Sequence, residues 1–200
     1  MSKPSKIDLA LVDSSVLVAD LLDEEEKHGE ELEDYRHNLR ERLFKPVITT
    51  PILMELFGVI RRNAFSEFAG GKIGDNLEQY KQNLLNYVRL AAQKRFERTL
   101  NEIRDHPDDF DLVENLAIKM DEESVDFMKR NIGIFGGKRG ATFKSLNVVD
   151  IIHIVVAKQL GCKWFVTFDE AFEGAKADDF LEELKILVYK RPSRNTSSQA

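Results

Sequence analysis

The sequence predicts an α/β fold, a three-layer α/β/α sandwich with a mainly parallel central sheet. Short apolar runs at residues 7–12, 45–49 and 164–166 alternate with longer helical patterns, which is typical of parallel strands connected by helices. The run at 164–166 is apolar without interruption, as expected for a strand that is covered on both faces. The length of 200 residues suits one domain with room for an insertion.

Composition restricts the class of protein. Hydrophobic residues make up 42% of the chain, and a single cysteine, Cys162, rules out a disulfide framework. No apolar signal region precedes the first strand, and the most apolar segment, 148–160, is too short to cross a bilayer. We therefore expect a soluble, cytoplasmic protein that does not bind membranes. The net charge of −6 argues against charge-driven nucleic-acid binding over the whole surface.

The first strand is followed by Asp13, Ser14 and Ser15, and Ser15 is a suitable N-cap for the next helix. This helix passes an acidic run at residues 23–26 and is expected to resume after Gly29. An acidic run is either a metal trap or a solvated helix face, and we favour the solvated face.

The second strand, 45–49, leads into Thr50 and Pro51, which predict an N-cap and the first residue of a helix. Glu55 follows in the second turn among apolar neighbours. A charge in such surroundings is costly unless it is paired or coordinated. Glu55 therefore either binds a cation or lies on the exposed stripe of the helix. Three glycines predict a loop or hinge over residues 64–74.

Residues 75–104 have helical spacing of their apolar side chains. The simplest interpretation is an added helix packed on the core, and the alternatives are a lid, an oligomer interface or a nucleic-acid clamp. A third strand is expected within 110–117, and Asp121 is a suitable cap for a short helix after it.

Residues 131–144 are rich in glycine and basic side chains but do not match the Walker A phosphate loop. Ile132 stands where its first glycine belongs, and Arg139 stands where its Ser or Thr belongs. This segment is either a mobile basic loop near a phosphate-bearing substrate or an ordinary surface loop.

The stretch 145–172 predicts a helix, a turn and a buried strand. Asn147 is a suitable N-cap and Asp150 lies three residues later, near the positive end of the helix dipole. Gly161 ends the helix, and Asp169 follows the strand at its carboxyl end. A helix over 178–184 and a strand over 185–189 complete the expected single domain, 1–190, and residues 191–200 form a polar, disordered tail.

Acidic side chains mark the edge of the sheet where ligands bind in open α/β folds. Asp13 and Asp169 end two strands, and Glu55 lies in a helix that leaves a third. Asp150 reaches this edge only if its helix begins above it. Crowded carboxylates cannot all stay ionised unaided, and oxygen ligands suit Mg²⁺ or Mn²⁺, which can activate water in phosphate chemistry. Zinc is disfavoured because the sequence has no cluster of His and Cys.

Several motifs together resemble the PIN domain. They are the Asp13-Ser14-Ser15 turn, the lone Glu55, the D-x-x-H-x-x-x-A pattern of Asp150, His153 and Ala157, and the T-x-D pattern of Thr167 and Asp169. The stretch from Asp150 to Phe172 is especially similar to the toxin-like VapC ribonucleases of that family.

The resemblance implies an endoribonuclease that uses Mg²⁺ or Mn²⁺. The family's catalytic and metal-binding acids match Asp13, Glu55, Asp150 and Asp169, and its supporting positions match Ser15 and Thr167. The resemblance further implies an RNA substrate, a homodimer and, for a toxin, a small antitoxin that blocks the acidic pocket. The helical insertion at about 75–105 makes the chain longer than a compact PIN domain and favours a housekeeping RNA-processing nuclease slightly.

Phosphate contacts are predicted for five basic residues, each of which is otherwise a solvated surface charge: Arg61, Arg62, Lys138, Arg139 and Lys144. His153 is either a general base or, as we favour, a hydrogen-bonded core histidine. Two other functions compete with the nuclease. One is a non-catalytic PIN-like module that binds RNA or protein. The other is a haloacid-dehalogenase-type phosphatase, disfavoured because Ser15 replaces the second acid of its D-x-D motif.

Overall fold

The computed structural model describes residues 7–22, 25–69, 77–131, 146–176 and 178–189. Two compact units make up the chain: a terminal unit formed by Met1–Phe44 and Ile118–Ala200, and a middle unit formed by Lys45–Ala117. The predicted tail and the glycine-rich segment after Asn131 lie outside the described residues, and so do Lys138, Arg139 and Lys144. Among the described residues, no helix is long and apolar enough to cross a membrane.

The terminal unit contains three parallel strands. Strands β1 (Leu9–Val12), β4 (Trp164–Thr167) and β5 (Lys185–Val188) lie in the order β1-β4-β5. The register aligns Val12 with Val166, and Thr167 with Val188. The carboxyl ends of β1 and β4 therefore lie side by side, because both strands run in the same direction.

Helices α1 (Ser14–Leu21), α2 (Glu25–Arg40), α5 (Glu122–Asn131) and α6 (Val148–Gln159) complete the terminal unit. Helix α6 contacts both β1 and β4, and its apolar side chains, together with those of the two strands, form a dry core: Ala10, Leu11, Val12, Ile151, Ile154, Val156, Phe165 and Val166. Burial of this much apolar surface is the main force that fixes the strand ends in place.

The middle unit contains the parallel pair β2 (Lys45–Thr49) and β3 (Asp111–Val113) and the long helices α3 (Thr50–Ala69) and α4 (Leu77–Asp105). Helices α3 and α4 pack along each other, with Phe57 and Phe96 edge to face at a centroid distance of 5.1 Å. All paired strands in both units are parallel, which confirms the predicted α/β class.

Four local predictions about the first half of the chain are wrong. Helix α1 is capped at Asp13 and not at Ser15, and α2 runs through Gly29 without interruption. Thr50 is the first residue of α3, and its hydroxyl donates to the carbonyl of Glu114 at 2.7 Å instead of capping the helix. The helix continues to Ala69, into the predicted loop, because the glycines begin only at residue 70.

One prediction about the second half is also wrong. The expected helix over residues 178–184 is a single 3₁₀ turn, Asp179–Leu181. Three residues then lead into β5, which begins at Lys185. A second 3₁₀ turn, Glu170–Ala175, was not predicted and directly follows Asp169.

Candidate metal centre

Asp13 lies at the end of β1 and is buried, with 6% of its surface exposed. Its backbone N–H donates to the carbonyl of Val166 at 2.9 Å, which ties it to β4. Its carbonyl accepts the first hydrogen bonds of α1 from Val16 and Leu17. The strand-to-helix turn thus fixes the direction of this side chain on both sides of the residue.

Two hydroxyl groups hold one oxygen of the Asp13 carboxylate. Ser15 Oγ donates to Asp13 Oδ2 at 2.5 Å, and Thr167 Oγ1 donates to the same oxygen at 2.8 Å. Each hydroxyl also accepts a backbone N–H, that of Phe168 at Ser15 and that of Asp169 at Thr167. Each hydroxyl therefore donates to the carboxylate, which can only accept when ionised, and accepts from the backbone with its own oxygen.

This network keeps Asp13 ionised. Burial raises the pKa of Asp13, but the contact with His153 and the hydrogen bonds from Ser15 and Thr167 outweigh it, so that the pKa lies below its ordinary value. A buried carboxylate that stays charged at neutral pH is an effective ligand for a hard cation.

Asp150 belongs to a capping box at the start of α6. The side chain of Asn147 accepts the N–H groups of Val149 and Asp150, and the backbone N–H of Asn147 donates to Asp150 Oδ2 at 2.8 Å. Such a reciprocal pair satisfies donors that a helix N-terminus otherwise leaves open. The box also fixes where the Asp150 carboxylate lies.

The pKa of Asp150 depends on burial and on the charges around it. Burial raises the pKa of Asp150 to about 6, the negative charges of Asp13 and Asp169 act in the same direction, and the N–H of Asn147 and His153 act against them. Asp13 and Asp169 therefore lie close enough to Asp150 for their charges to act on it. Helix α6 runs back along the strands and therefore begins at the edge where β1 and β4 end, which is the placement that the sequence required for Asp150 to reach this edge.

Asp169 follows β4 and caps the 3₁₀ turn after it. Its Oδ1 accepts the N–H of Ala171 at 2.8 Å, and its own N–H donates to Thr167. The terminal unit thus links Asp13 to Asp169 through Thr167, with Ser15 on the same network, and places Asp150 at the start of α6, where their charges act on it. Their oxygens are the donor set that Mg²⁺ and Mn²⁺ take in proteins.

Glu55 and the two described arginines lie in the middle unit. Glu55 is in the second turn of α3 with a half-buried side chain, between the buried Leu53 and Leu56. Arg61 and Arg62 are exposed on the same helix. Their assignment to the site stays a prediction.

His153 lies one turn after Asp150 on α6 and is buried, with 1% of its surface exposed. Its Nδ1 is 3.5 Å from Asp13 Oδ1. The burial agrees with the core position favoured by the apolar stripe of α6. The contact with Asp13 was not predicted, because no local pattern in the sequence connects these two residues.

Comparison with known proteins assigns the family. The PIN domain model matches residues 10–177 of the chain. No curated protein matches. The crystal structure of VapBC2 from Rickettsia felis bound to a DNA fragment from their promoter is similar to this chain at 8% identity and a TM-score of 0.40, covering 90% of this chain and 98% of that one.

The family match covers more than four fifths of the chain and includes every strand but the last. It confirms the resemblance carried by the four acidic motifs, and with it the three-layer α/β/α class of the fold. The chain therefore belongs to the PIN domain family, whose members are generally nucleases.

Proposed function

We propose that the protein is a metal-dependent endoribonuclease that hydrolyses RNA phosphodiester bonds at Asp13, Glu55, Asp150 and Asp169. The observation that carries the proposal is that Thr167 joins the buried carboxylate of Asp13 to the backbone of Asp169, with Asp150 fixed at the start of the neighbouring helix α6. Like charges at close range are costly and are relieved most simply by a bound cation.

The residues present fit a divalent metal ion by the chemistry of their donors. When bound, such an ion polarises the phosphodiester and makes water a stronger nucleophile. A carboxylate offers about four lone-pair sites, so Asp13, Asp150 and Asp169 each retain acceptor capacity beyond the hydrogen bonds described above. Ser15 and Thr167 hold Asp13, and Asn147 holds Asp150, so that little reorganisation is needed when a ligand arrives.

The substrate side of the proposal assigns backbone-phosphate contacts to Arg61, Arg62, Lys138, Arg139 and Lys144. The first two are exposed on α3, as contacts to phosphate require. With a net charge of −6, the chain as a whole repels a polyanion. Affinity therefore depends on local contacts and favours a specific, structured RNA.

A toxin role carries two further expectations, a small antitoxin that covers the acidic pocket and a homodimer. Both follow from the VapC-like sequence of α6 and β4 and stay predictions. The housekeeping role and the non-catalytic binding module are the competing proposals within the same family.

The test is cleavage of labelled single-stranded and structured RNAs in Mg²⁺ or Mn²⁺, with and without chelator. Asp13→Asn keeps the size of the side chain and removes its charge, and we expect it to slow cleavage by about a thousand-fold or more, because the centre loses its buried anionic ligand. Asp34→Asn is the matched control, since Asp34 is exposed on α2 of the same unit, and it should cut at the parent rate.

Three results would contradict the proposal. Equal cleavage by Asp13→Asn would refute the site, and cleavage of DNA but not RNA would refute the substrate. RNA binding without product from the parent protein, across all metals tried, would favour the binding module. Circular dichroism and thermal unfolding of each variant separate lost chemistry from lost folding.

A further inference from the structure

His153 lies against the one oxygen of Asp13 that the hydroxyl groups do not hold. Ser15 and Thr167 both donate to Oδ2, and the imidazole Nδ1 faces Oδ1. The ring therefore lies beside the carboxylate at the end of β1.

His153 lies on the same face of α6 as Asp150, because the two residues are three positions apart. Residues three apart on a helix lie on one face, about 5–6 Å apart at Cβ. A carboxylate followed by a histidine at this spacing is how helices supply mixed ligands to the dimetal centres of carboxylate-bridged bundles. The Asp150-x-x-His153 pair has this arrangement.

The distance between His153 Nδ1 and Asp13 Oδ1 is 3.5 Å. It is longer than the roughly 2.7–3.2 Å of an ordinary N–H···O hydrogen bond. Two ligand atoms that share one ion, each about 2.0–2.2 Å from it, lie about 3–3.5 Å apart. The separation fits two ligands of a common ion better than it fits a strong hydrogen bond.

We propose that His153 is a nitrogen ligand of the metal centre, alongside Asp13, and that it makes the centre select a first-row transition ion over Mg²⁺. This inference rests on the proposed function for the presence of a metal. Imidazole is a good ligand for first-row transition ions, whereas Mg²⁺ takes oxygen ligands and retains its waters. A single buried imidazole thus discriminates between two ions that an all-carboxylate site would hold alike.

The test uses the full chain and Mn²⁺ alone, with no RNA. Titration followed by electron paramagnetic resonance gives the stoichiometry and affinity, and electron spin echo modulation reports whether a ¹⁴N nucleus is directly bound to Mn²⁺. We expect the modulation of a bound imidazole nitrogen in the parent protein. Protein made with ¹⁵N-labelled histidine should lose the ¹⁴N pattern, and this control changes no atom position.

The four histidines allow the nitrogen to be assigned. A triple variant, His28→Gln with His37→Gln and His106→Gln, retains only His153 and should keep the modulation. His153→Gln should lose it and weaken Mn²⁺ binding by about ten-fold or more, while Mg²⁺ affinity, measured by competition, changes less than about three-fold.

The outcomes separate the two levels of the argument. Mn²⁺ that binds in the parent and is lost in Asp13→Asn, but shows no bound ¹⁴N, overturns the role of His153 and leaves the acidic site standing. Modulation that persists in His153→Gln also overturns it. A parent protein that binds no Mn²⁺ overturns both the ligand and the metal centre.

Discussion

Two buried threonines show how the units differ. Thr49 ends β2 in the middle unit and Thr167 ends β4 in the terminal unit, and both are fully buried. The hydroxyl of Thr167 joins Asp13 to the backbone of Asp169, whereas that of Thr49 has no hydrogen-bond partner among the described residues. The same residue at the same place in a strand is therefore part of a polar network in one unit and a space-filling side chain in the other.

The ion pairs of the two units differ in the same way. In the middle unit, Arg95 makes two hydrogen bonds of 2.7 Å to Glu67, but both side chains are more than two fifths exposed. In the terminal unit, the charge of Asp13 is buried and held by neighbours. Electrostatic interactions are stronger where water is excluded. The interactions of Asp13 are therefore expected to be stronger than the exposed ion pair between α3 and α4.

Among the substitutions that test this difference between the two units, Thr167→Val is expected to have the largest effect. The substitution keeps the shape of the side chain and leaves Asp13 Oδ2 and the N–H of Asp169 each without one buried partner. We expect a loss of about 1–3 kcal/mol in the free energy of unfolding, measured by chemical denaturation. Cleavage should fall as well, since Asp13 is less firmly held, and Thr167→Ser should restore much of both.

Thr49→Val is the matched control for that experiment. Its hydroxyl makes no hydrogen bond in the described structure, so valine should be neutral or stabilising. Equal losses in the free energy of unfolding from the two valine variants would show that the hydrogen bonds of Thr167 do not contribute to stability.

The second effect is a pH dependence that belongs to Asp150. Its folded pKa of about 6 lies above the unfolded value of about 3.9. The metal-free protein therefore has an added stability below the unfolded pKa, and loses it as pH rises through 6. The affinity for a metal ion has the opposite trend and increases with pH, because a proton competes with the cation for the carboxylate of Asp150.

Calorimetry checks both signs. Mn²⁺ affinity should fall about ten-fold for each pH unit below 6 and level off above it. The Tm of the metal-free protein should decrease between pH 4 and pH 6, and Asp150→Asn should remove that decrease. A metal-free Tm that rises over this range would show that Asp150 is not the titrating group.

A smaller effect is expected from the exposed arginines of α3. Arg61→Gln with Arg62→Gln should raise KM for RNA several-fold and leave kcat nearly unchanged, since contacts to phosphate contribute to binding and not to the reacting bond. The plot of affinity against salt should become less steep. Arg89→Gln with Arg98→Gln, on α4 of the same unit, removes the same charge and should leave KM alone. Equal changes in both double variants would indicate a general charge effect.

The smallest effect is expected at the Arg95–Glu67 pair. The pKa of Glu67 is lowered by the hydrogen bonds from Arg95, yet solvent screens the pair. Glu67→Gln should reduce the free energy of unfolding by less than about 1 kcal/mol, and less still in high salt. A loss as large as that of Thr167→Val would contradict the contrast between the units.

The sequence predicted the parts of the fold that depend on local rules. The Asn147 cap and the Gly161 stop set the limits of α6, and Gly161 has the positive φ of 67° that such a stop requires. Lys45–Thr49 was predicted with its exact bounds. Errors arose where tertiary contacts decide: the hydroxyl of Thr50 donates to the carbonyl of Glu114 instead of capping α3.

The hydrogen bonds inside the candidate site could not be predicted from the sequence. Ser15 looked like a helix cap, but its hydroxyl is directed across to Asp13, because Phe168 of a distant strand end fixes its orientation. No local pattern indicates a partner 153 residues away. The same holds for His153, whose neighbour Asp13 comes from the opposite end of the chain.

Helix α6 also sets a length constraint on the protein. Its 12 residues rise about 18 Å, and the chain then returns over the six residues from Cys162 to Thr167, about 20 Å when extended. The length of α6 matches the length of the extended segment that follows it, and Asp150 and Asp169 therefore lie at the same edge of the sheet. One extra turn in α6 would carry Asp150 about 5 Å beyond its neighbours, so this segment tolerates substitution far better than insertion.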